Sequence, residues 1–339
     1  MPDKNEKSKE TLPIVIIGAG IAGLCISFYL NKKNIPHIII EKGKAGNTWI
    51  EERWDNFHLV NPNWAMKIPE FGFESDHFPS KDPNGFLNKK EIVNYIQSFA
   101  RYLNSEIYEN ENVIKISKNN NSYEIQTSKR LIHTNTVIIA TGAFGNPYIP
   151  EIHKNLDKDI FQIHSSKYKN STGLPEGKVV VVGSGQSGAQ IAEDLLDSGR
   201  KVILAVSKCG RRPRKYRSKD SSWWNYEMGL FDKTVNDVKL EERWKCSAHT
   251  SGAKGGHDIN LIDLAENGLE LCGSIKNCQG NKLFLKDNVY ENVKFSDTYA
   301  INWRKNVDEF ITKNNIKAPK ESIKIDERIE SNILKNYDQ

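Results

Sequence analysis

The chain has 339 residues, 38% of them hydrophobic, and a mean hydropathy of −0.59. It can bury one large core or two ordinary ones, and no apolar run reaches membrane-spanning length. A formal net charge of +5 is too small to call for nucleic acid as a partner.

Met1–Glu10 is charged and carries no apolar stretch, unlike a signal peptide or an anchor; residues 1–11 are expected to form a disordered tail. A strand is predicted over 13–17, a helix over 21–33 and a strand over 37–40. The turn between the first strand and the helix reads Gly18-Ala19-Gly20-Ile21-Ala22-Gly23. One glycine serves the tight turn, one lets backbone approach a pyrophosphate and one lets helix pack on strand. Glu41, followed by Lys42, ends the second strand 23 residues past Gly18. A carboxylate there accepts both ribose hydroxyls of an adenosine and repels a 2′-phosphate, so this site prefers FAD or NAD to NADP. The alternative is an acidic residue that merely ends a strand.

Residues 43–87 show little periodicity but are rich in Trp, Phe, Asn, Pro and His, which argues for an ordered, functional loop. A helix is expected over 89–103, then a small β-meander near 112–117, 122–127 and 130–132, and a buried strand over 136–140. Ala140-Thr141-Gly142 closes that strand. Residues 143–177 are rich in Pro, Gly and Asn and suit a crossing between domains.

A second unit repeats the pattern, with a buried-type strand over 178–182, a helix over 186–198 and a strand over 201–206. Its turn reads Gly183-Ser184-Gly185-Gln186-Ser187-Gly188. With 23 glycines in the chain, chance places about 0.1 such patterns, so two in the right setting point to a protein that holds two dinucleotides. Where the first unit has Glu41, the second has Ser207-Lys208, followed by Arg211, Arg212, Arg214, Lys215, Arg217 and Lys219 before Asp220. Loss of the carboxylate and gain of guanidinium groups favour NADPH, with Lys208, Arg211 and Arg212 as candidate 2′-phosphate ligands. A solvated basic face and a nucleic-acid patch are the competing readings.

Beyond the cations, a helical stretch is expected near 258–268, a hairpin pairing 272–278 with 282–286, and an exposed charged helix over 298–316. Cys25, Cys209, Cys246, Cys272 and Cys278 form an odd set without a C-x-x-C pair. They are expected to be reduced thiols in a cytoplasmic protein, without the close cysteine pair of a disulfide reductase. Cys246-Ser-Ala-His249 with nearby His257 lacks ligands for a metal site, and none is expected.

The order of these features resembles the class B flavin monooxygenases, a group that includes flavin-containing monooxygenases, plant YUCCA enzymes and Baeyer–Villiger monooxygenases. The matching residues are Gly18 to Gly23, Glu41, Gly46-Asn47-Thr48-Trp49 with Arg53-Trp54, Ala140-Thr141-Gly142 and Gly183 to Gly188. His164-Ser165-Ser166-Lys167-Tyr168 and Gly256-His257-Asp258-Ile259-Asn260-Leu261 extend the likeness, which covers roughly residues 12–285. The resemblance implies an α/β fold of two Rossmann-like domains. The FAD domain would span 12–150 and the NADPH domain, inserted in it or following it, 151–287. Residues 288–339 would form a helical, incomplete return to the FAD domain. Thr48, Trp49 and Arg53 would lie by the flavin, with Ala140, Thr141 and Gly142 at the crossing.

By the same resemblance, hydride passes from NADPH to flavin, O₂ adds to give a C4a-(hydro)peroxyflavin, and oxygen goes to a nitrogen, a sulfur or a carbonyl carbon. The partners are then a small-molecule substrate and O₂, with no nucleic acid and no membrane; an oligomer is compatible with the sequence. Trp49, Trp54, Phe57 and Trp64 are candidates to wall a dry pocket. Asn61 and Asn63 are candidate catalytic donors, with turn duty beside Pro62 as the alternative. His164 belongs either to the linker signature or to a capped linker turn, and Lys158 stands where the signature has Phe. His257 and Asp258 are candidate active-site groups, with a plain helix N-cap by Asp258 as the alternative. Gly280 is the last glycine, so the glycine-containing return segment of these enzymes is missing and weak FAD retention is expected. The rival readings are a truncated, non-catalytic nucleotide-binding protein and an NADPH oxidase or flavin reductase.

Overall fold

The computed structural model describes residues 9–243 and 245–330, which divide into two compact units. One comprises residues 9–53 and 63–148, the other 54–62 and 149–330. The break at 148/149 stands beside the expected 150/151, and the assignment of 54–62 to the second unit was not legible in the sequence.

The first unit runs β1 (Lys9–Ile17), α1 (Ile21–Lys32), β2 (His37–Ile40), α2 (Asn47–Glu51), α3 (Lys89–Leu103), β3 (Ile107–Tyr108), β4 (Val113–Asn119), β5 (Ser122–Thr127) and β6 (Leu131–Ile139). Its sheet has the order β3-β2-β1-β6-β5-β4. The β3-β2-β1-β6 part is parallel, and β5 and β4 add an antiparallel meander. Val15, Ile17, Ile38, Ile40, Ile125 and Ile132 form one core cluster, while Ile16 lies on the α1 side near Gly23. Two expectations change here. β1 begins at Lys9 and pairs with Leu131 onward, so 9–11 is strand; residues 1–8 of the expected tail lie outside the described residues. The separate segments 130–132 and 136–140 are one strand, β6, because it pairs along its length with β1.

α3 starts with a capping box. The Glu91 N–H donates to Asn88 Oδ1 at 3.0 Å and the Asn88 N–H donates to Glu91 Oε2 at 2.9 Å. Its buried residues, Ile92, Tyr95, Ile96, Phe99 and Leu103, follow the helical period. The loop before it is ordered by aromatic contact. Phe71 lies 5.0 Å from Phe99 and stacks on His77 at 4.2 Å, and Phe78 meets Tyr95 edge-on at 5.2 Å.

The second unit runs β7 (Val179–Val182), α4 (Gln186–Asp197), β8 (Val202–Ala205), the short pair β9 (Lys215–Tyr216) and β10 (Lys219–Asp220), α5 (Ser221–Glu227), α6 (Leu261–Glu266), β11 (Glu270–Cys272), the hairpin β12 (Ile275–Gln279) and β13 (Lys282–Leu285), and α7 (Val289–Lys313). The parallel sheet has the order β11-β8-β7. β11 was not expected, and only its last residue falls in the expected hairpin, because its partner β8 lies far away in sequence. β7 departs from the buried-type reading: it ends the sheet, and Val180 and Val182 are 38% and 66% exposed.

The C-terminal helix is also corrected. α7 begins at Val289 and is not an exposed charged rod. Trp303, Val307 and Ile311, spaced by four, pack with Tyr216 and Trp224. The Trp303 Nε1–H donates to Asn225 Oδ1 at 2.9 Å, and Asn292 Nδ2 donates to the Val206 carbonyl at 2.9 Å. Residues 288–330 thus complete the second unit rather than returning to the first; 331–339 lie outside the described residues.

Candidate nucleotide-binding sites

Both fingerprints fold into the same hydrogen-bonded turn. Gly18 N–H donates to the Ile40 carbonyl at 2.8 Å, as Gly183 N–H donates to that of Ala205 at 3.0 Å. Gly18 and Gly183 have φ of +107° and +93°, which favours glycine. A Cβ on Gly23 would collide with the Gly18 carbonyl oxygen, and one on Gly188 with that of Gly183. The third glycine therefore sets the helix-to-strand approach in each unit. Gly20 is different: it N-caps α1 in an extended conformation, and a Cβ there would meet nothing within 4 Å. Ala22 and Ser187 fall in the first turns of α1 and α4.

The two sites diverge at the end of the second strand. Glu41 is buried, and its carboxylate accepts the Ala19 N–H at 2.8 Å and the Gly43 N–H at 3.0 Å. A carboxylate has about four acceptor positions, so this arrangement leaves room for ribose hydroxyls. In the second unit Ser207 takes that place. Ser184 N–H donates to Ser207 Oγ at 3.2 Å, and Ser184 Oγ donates to the Ser207 carbonyl at 3.0 Å.

Around the first turn, Gly46 N–H donates to the Ala19 carbonyl at 2.9 Å and opens α2, which carries Thr48 and Trp49. The Arg53 guanidinium lies 5.2 Å from the Trp49 ring, and burial lowers its pKa. Lys42 pairs with Glu52 at 3.5 Å. Ala140 N–H donates to the Ile17 carbonyl at 2.8 Å, and exposed Thr141 and Gly142 follow it.

The basic run does not present one face. Arg211 pairs with Asp297 and lies 3.8 Å from Asp258; Arg214 pairs with Asp220 at 2.6 Å and Arg217 with Asp308 at 2.6 Å. Arg211 is thus held by acids inside the unit. Lys208 is exposed over the Phe295 ring at 4.9 Å. Arg212 is half-buried with no ion pair among the described residues, its Nε has no partner, and burial then Arg214 lower its pKa.

The candidate catalytic groups are divided between the two units. Asn63 is buried in the first unit, where Nδ2 donates to the Asp82 carbonyl at 2.9 Å and holds the 82–85 turn. Asn61 is exposed and belongs to the second unit. His164 caps a single 3-10 turn, its Nδ1 accepting the Ser166 N–H at 3.2 Å. Trp49 and Trp64 belong to the first unit, whereas Trp54 and Phe57 are buried edge-on at 5.0 Å in the second.

The signature segments instead brace α4. Tyr168 donates to Asp194 Oδ2 at 2.6 Å, and Gln186 exchanges two bonds with Thr250. His257 Nε2 lies 2.5 Å from Glu193 Oε1, which raises its pKa against the opposing effect of burial. Asp258 accepts the Arg214 N–H at 2.5 Å, and α6 is capped by Asn260, not by Asp258. Because the folded-state pKa of His257 is raised, its contribution is complete below about pH 6.5 and fades as pH rises through the raised value. Unfolding free energies from urea titration of wild type and His257→Gln should differ by about 1–2 kcal/mol near pH 5.5 and converge toward pH 9.

The cysteine reading also changes. Cys209 and Cys246, 37 positions apart, place their sulfurs 3.2 Å from each other, with Cys209 as donor. The described residues hold no group of ligands fit for a metal, and none of their helices is long and apolar enough to cross a membrane.

Two dinucleotide turns on parallel sheets define a two-nucleotide oxidoreductase fold. The pyridine nucleotide-disulphide oxidoreductase family profile matches residues 15–242, and the chain belongs to that family. It is 34% identical to an uncharacterized CzcO-like oxidoreductase of Geobacillus kaustophilus over 66% of this chain and 62% of that one. It is 30% identical to a probable indole-3-pyruvate monooxygenase, YUCCA1, of Arabidopsis thaliana over 57% and 46%. A flavin-containing monooxygenase from Stenotrophomonas maltophilia has the same fold, with TM-score 0.54 and 16% identity over 90% of this chain and 99% of that one. The chain thus resembles both uncharacterized oxidoreductases and a protein named as a probable monooxygenase, and shares its fold with a flavin-containing monooxygenase. It spans about three fifths of the first relative and under half of the second.

Proposed function

We propose that this chain is an NADPH- and O₂-dependent flavoprotein monooxygenase, cytoplasmic, acting on a small organic substrate at nitrogen, sulfur or a carbonyl carbon. FAD would occupy the first fingerprint and NADPH the second. The observation that carries the reading is the matched pair of turns with opposite ends. Glu41 gives the first a buried carboxylate suited to ribose hydroxyls. The second has Ser207 in that place, exposed Lys208 next to it, and Arg212 without an ion pair among the described residues. A desolvated guanidinium gains most from a dianionic phosphate.

Gly20, open on its Cβ side, would let the FAD pyrophosphate approach backbone at the α1 N-terminus. Bound flavin would accept hydride and activate O₂, while the protein supplies orientation. The relative named as a probable indole-3-pyruvate monooxygenase supports oxygenation as the reaction class.

The test is the visible spectrum of the purified chain, with FAD added, before and after NADPH in air. Flavin absorbance near about 450 nm that bleaches and recovers supports the cycle. A chain that takes up no flavin overturns it, and recovery of every electron as hydrogen peroxide across a panel of amines, sulfides and ketones reassigns it as an oxidase. Lys208→Ala combined with Arg212→Ala should raise the NADPH KM at least about tenfold and leave that for NADH within about twofold. Equal loss with both would remove the 2′-phosphate assignment.

A further inference from the structure

The cysteine pair sits at the second fingerprint. Cys209 is buried just after β8, and Cys246 is exposed with exposed neighbours Lys245 and Ser247. Their sulfurs are 3.2 Å apart. The Cys246 sulfur also lies 3.1 Å from where a Cβ on Gly185 would stand, at the N-cap of α4. An exposed sulfur at a helix N-terminus with a second sulfur behind it has the parts of an oxidisable dithiol, one thiol to attack and one to resolve.

We propose that Cys209 and Cys246 form a peroxide-oxidised dithiol site, in which hydrogen peroxide converts the pair to a disulfide against the second fingerprint. The Cys246 sulfur attacks one peroxide oxygen, the O–O bond breaks, and the departing hydroxide takes the thiol proton as water. Cys246 then carries a sulfenic acid. The Cys209 sulfur displaces its hydroxyl, the S–S bond forms, and the hydroxyl leaves with the Cys209 proton as a second water. Two thiols lose two electrons and one peroxide gains them. Bond formation brings the sulfurs together by about 1.1 Å, from 3.2 Å to the covalent distance.

The division of labour follows from the local field. The Cys209 S–H and then the Gln186 N–H lower the Cys246 pKa, while that hydrogen bond and burial raise the pKa of Cys209. A second consequence rests on reading this fingerprint as the NADP(H) site. The Cys246 sulfur stands where a pyrophosphate would meet Gly185 and the α4 N-terminus, so bound NADP⁺ covers it and slows its oxidation.

The test uses the reduced full chain, treated with hydrogen peroxide without nucleotide and mapped by mass spectrometry under non-reducing conditions. The expected product has lost two hydrogens, carries a Cys209–Cys246 cross-linked peptide and reverts with dithiothreitol. Cys209→Ser should stop at a dimedone-reactive sulfenic acid on Cys246, and Cys246→Ser should lose thiol at least about tenfold more slowly. No cross-link, or one through a different cysteine, overturns the dithiol. NADP⁺, its binding measured separately by calorimetry, should slow the reaction at least about fivefold. A cross-link forming at the same rate with NADP⁺ bound overturns the shared space. Absence of NADP⁺ binding to the reduced chain instead removes the NADP(H) reading and leaves the nucleotide-free result standing.

Discussion

Gly20→Val is expected to leave the fold intact and to lower FAD affinity at least about 100-fold, or about 2.7 kcal/mol. Gly20 has φ −82° and ψ −176°, extended backbone that valine adopts readily. Its Cβ would enter open space, so the folding cost is only that of a poorer N-cap, up to about 1 kcal/mol. The same open space is what a pyrophosphate would use to reach the backbone. Gly23→Ala should behave in the opposite way, because its methyl would strike the Gly18 carbonyl oxygen. Neither the turn nor the helix can yield there, and a loss of about 3 kcal/mol or more in folding stability is expected. Urea unfolding and flavin content after gel filtration with added FAD separate the two. Unchanged flavin content in Gly20→Val would remove FAD from this fingerprint.

The second large effect is expected from Arg214→Ala, which should cost about 3–5 kcal/mol of folding stability. Arg214 is 3% exposed; its guanidinium pairs with Asp220 at 2.6 Å and donates to the Val60 carbonyl at 2.8 Å. Asp220 also caps α5, accepting the Ser222 N–H at 2.7 Å. Truncation leaves that buried carboxylate without its counter-ion, which is where most of the cost arises. The double variant Arg214→Met with Asp220→Asn keeps the cap, removes the orphaned charge and should recover part of the loss. Chemical denaturation of the three variants tests this. An Arg214→Ala chain as stable as wild type would return this cation to the solvated-face reading.

The opening strand, helix and strand of each dinucleotide unit were legible because their signals are local. Apolar runs and glycine spacing act within a few residues, and β2 and α3 have the expected ends. The errors share one cause. β11 is a strand only because β8 lies beside it, β6 is continuous only because β1 pairs along it, and α7 is buried only because Tyr216 and Trp224 receive its apolar stripe. Asn63 read as a candidate donor because the 82–85 turn that takes its amide lies 19 residues away.

The sequence by itself determined that the chain carries two nucleotide turns with different ends, Glu41 and Ser207, since steric need for glycine and the sign of a charge are properties of single residues. Only the tertiary structure decided which cations remain available. Arg211, Arg214, Arg217, Lys208 and Arg212 look alike in a row, yet three are consumed by Asp297, Asp220 and Asp308. It alone brought Cys209 to Cys246. Ion pairing and thiol contact depend on distance in space, and over separations of 37 or 86 residues only the folded chain sets that distance.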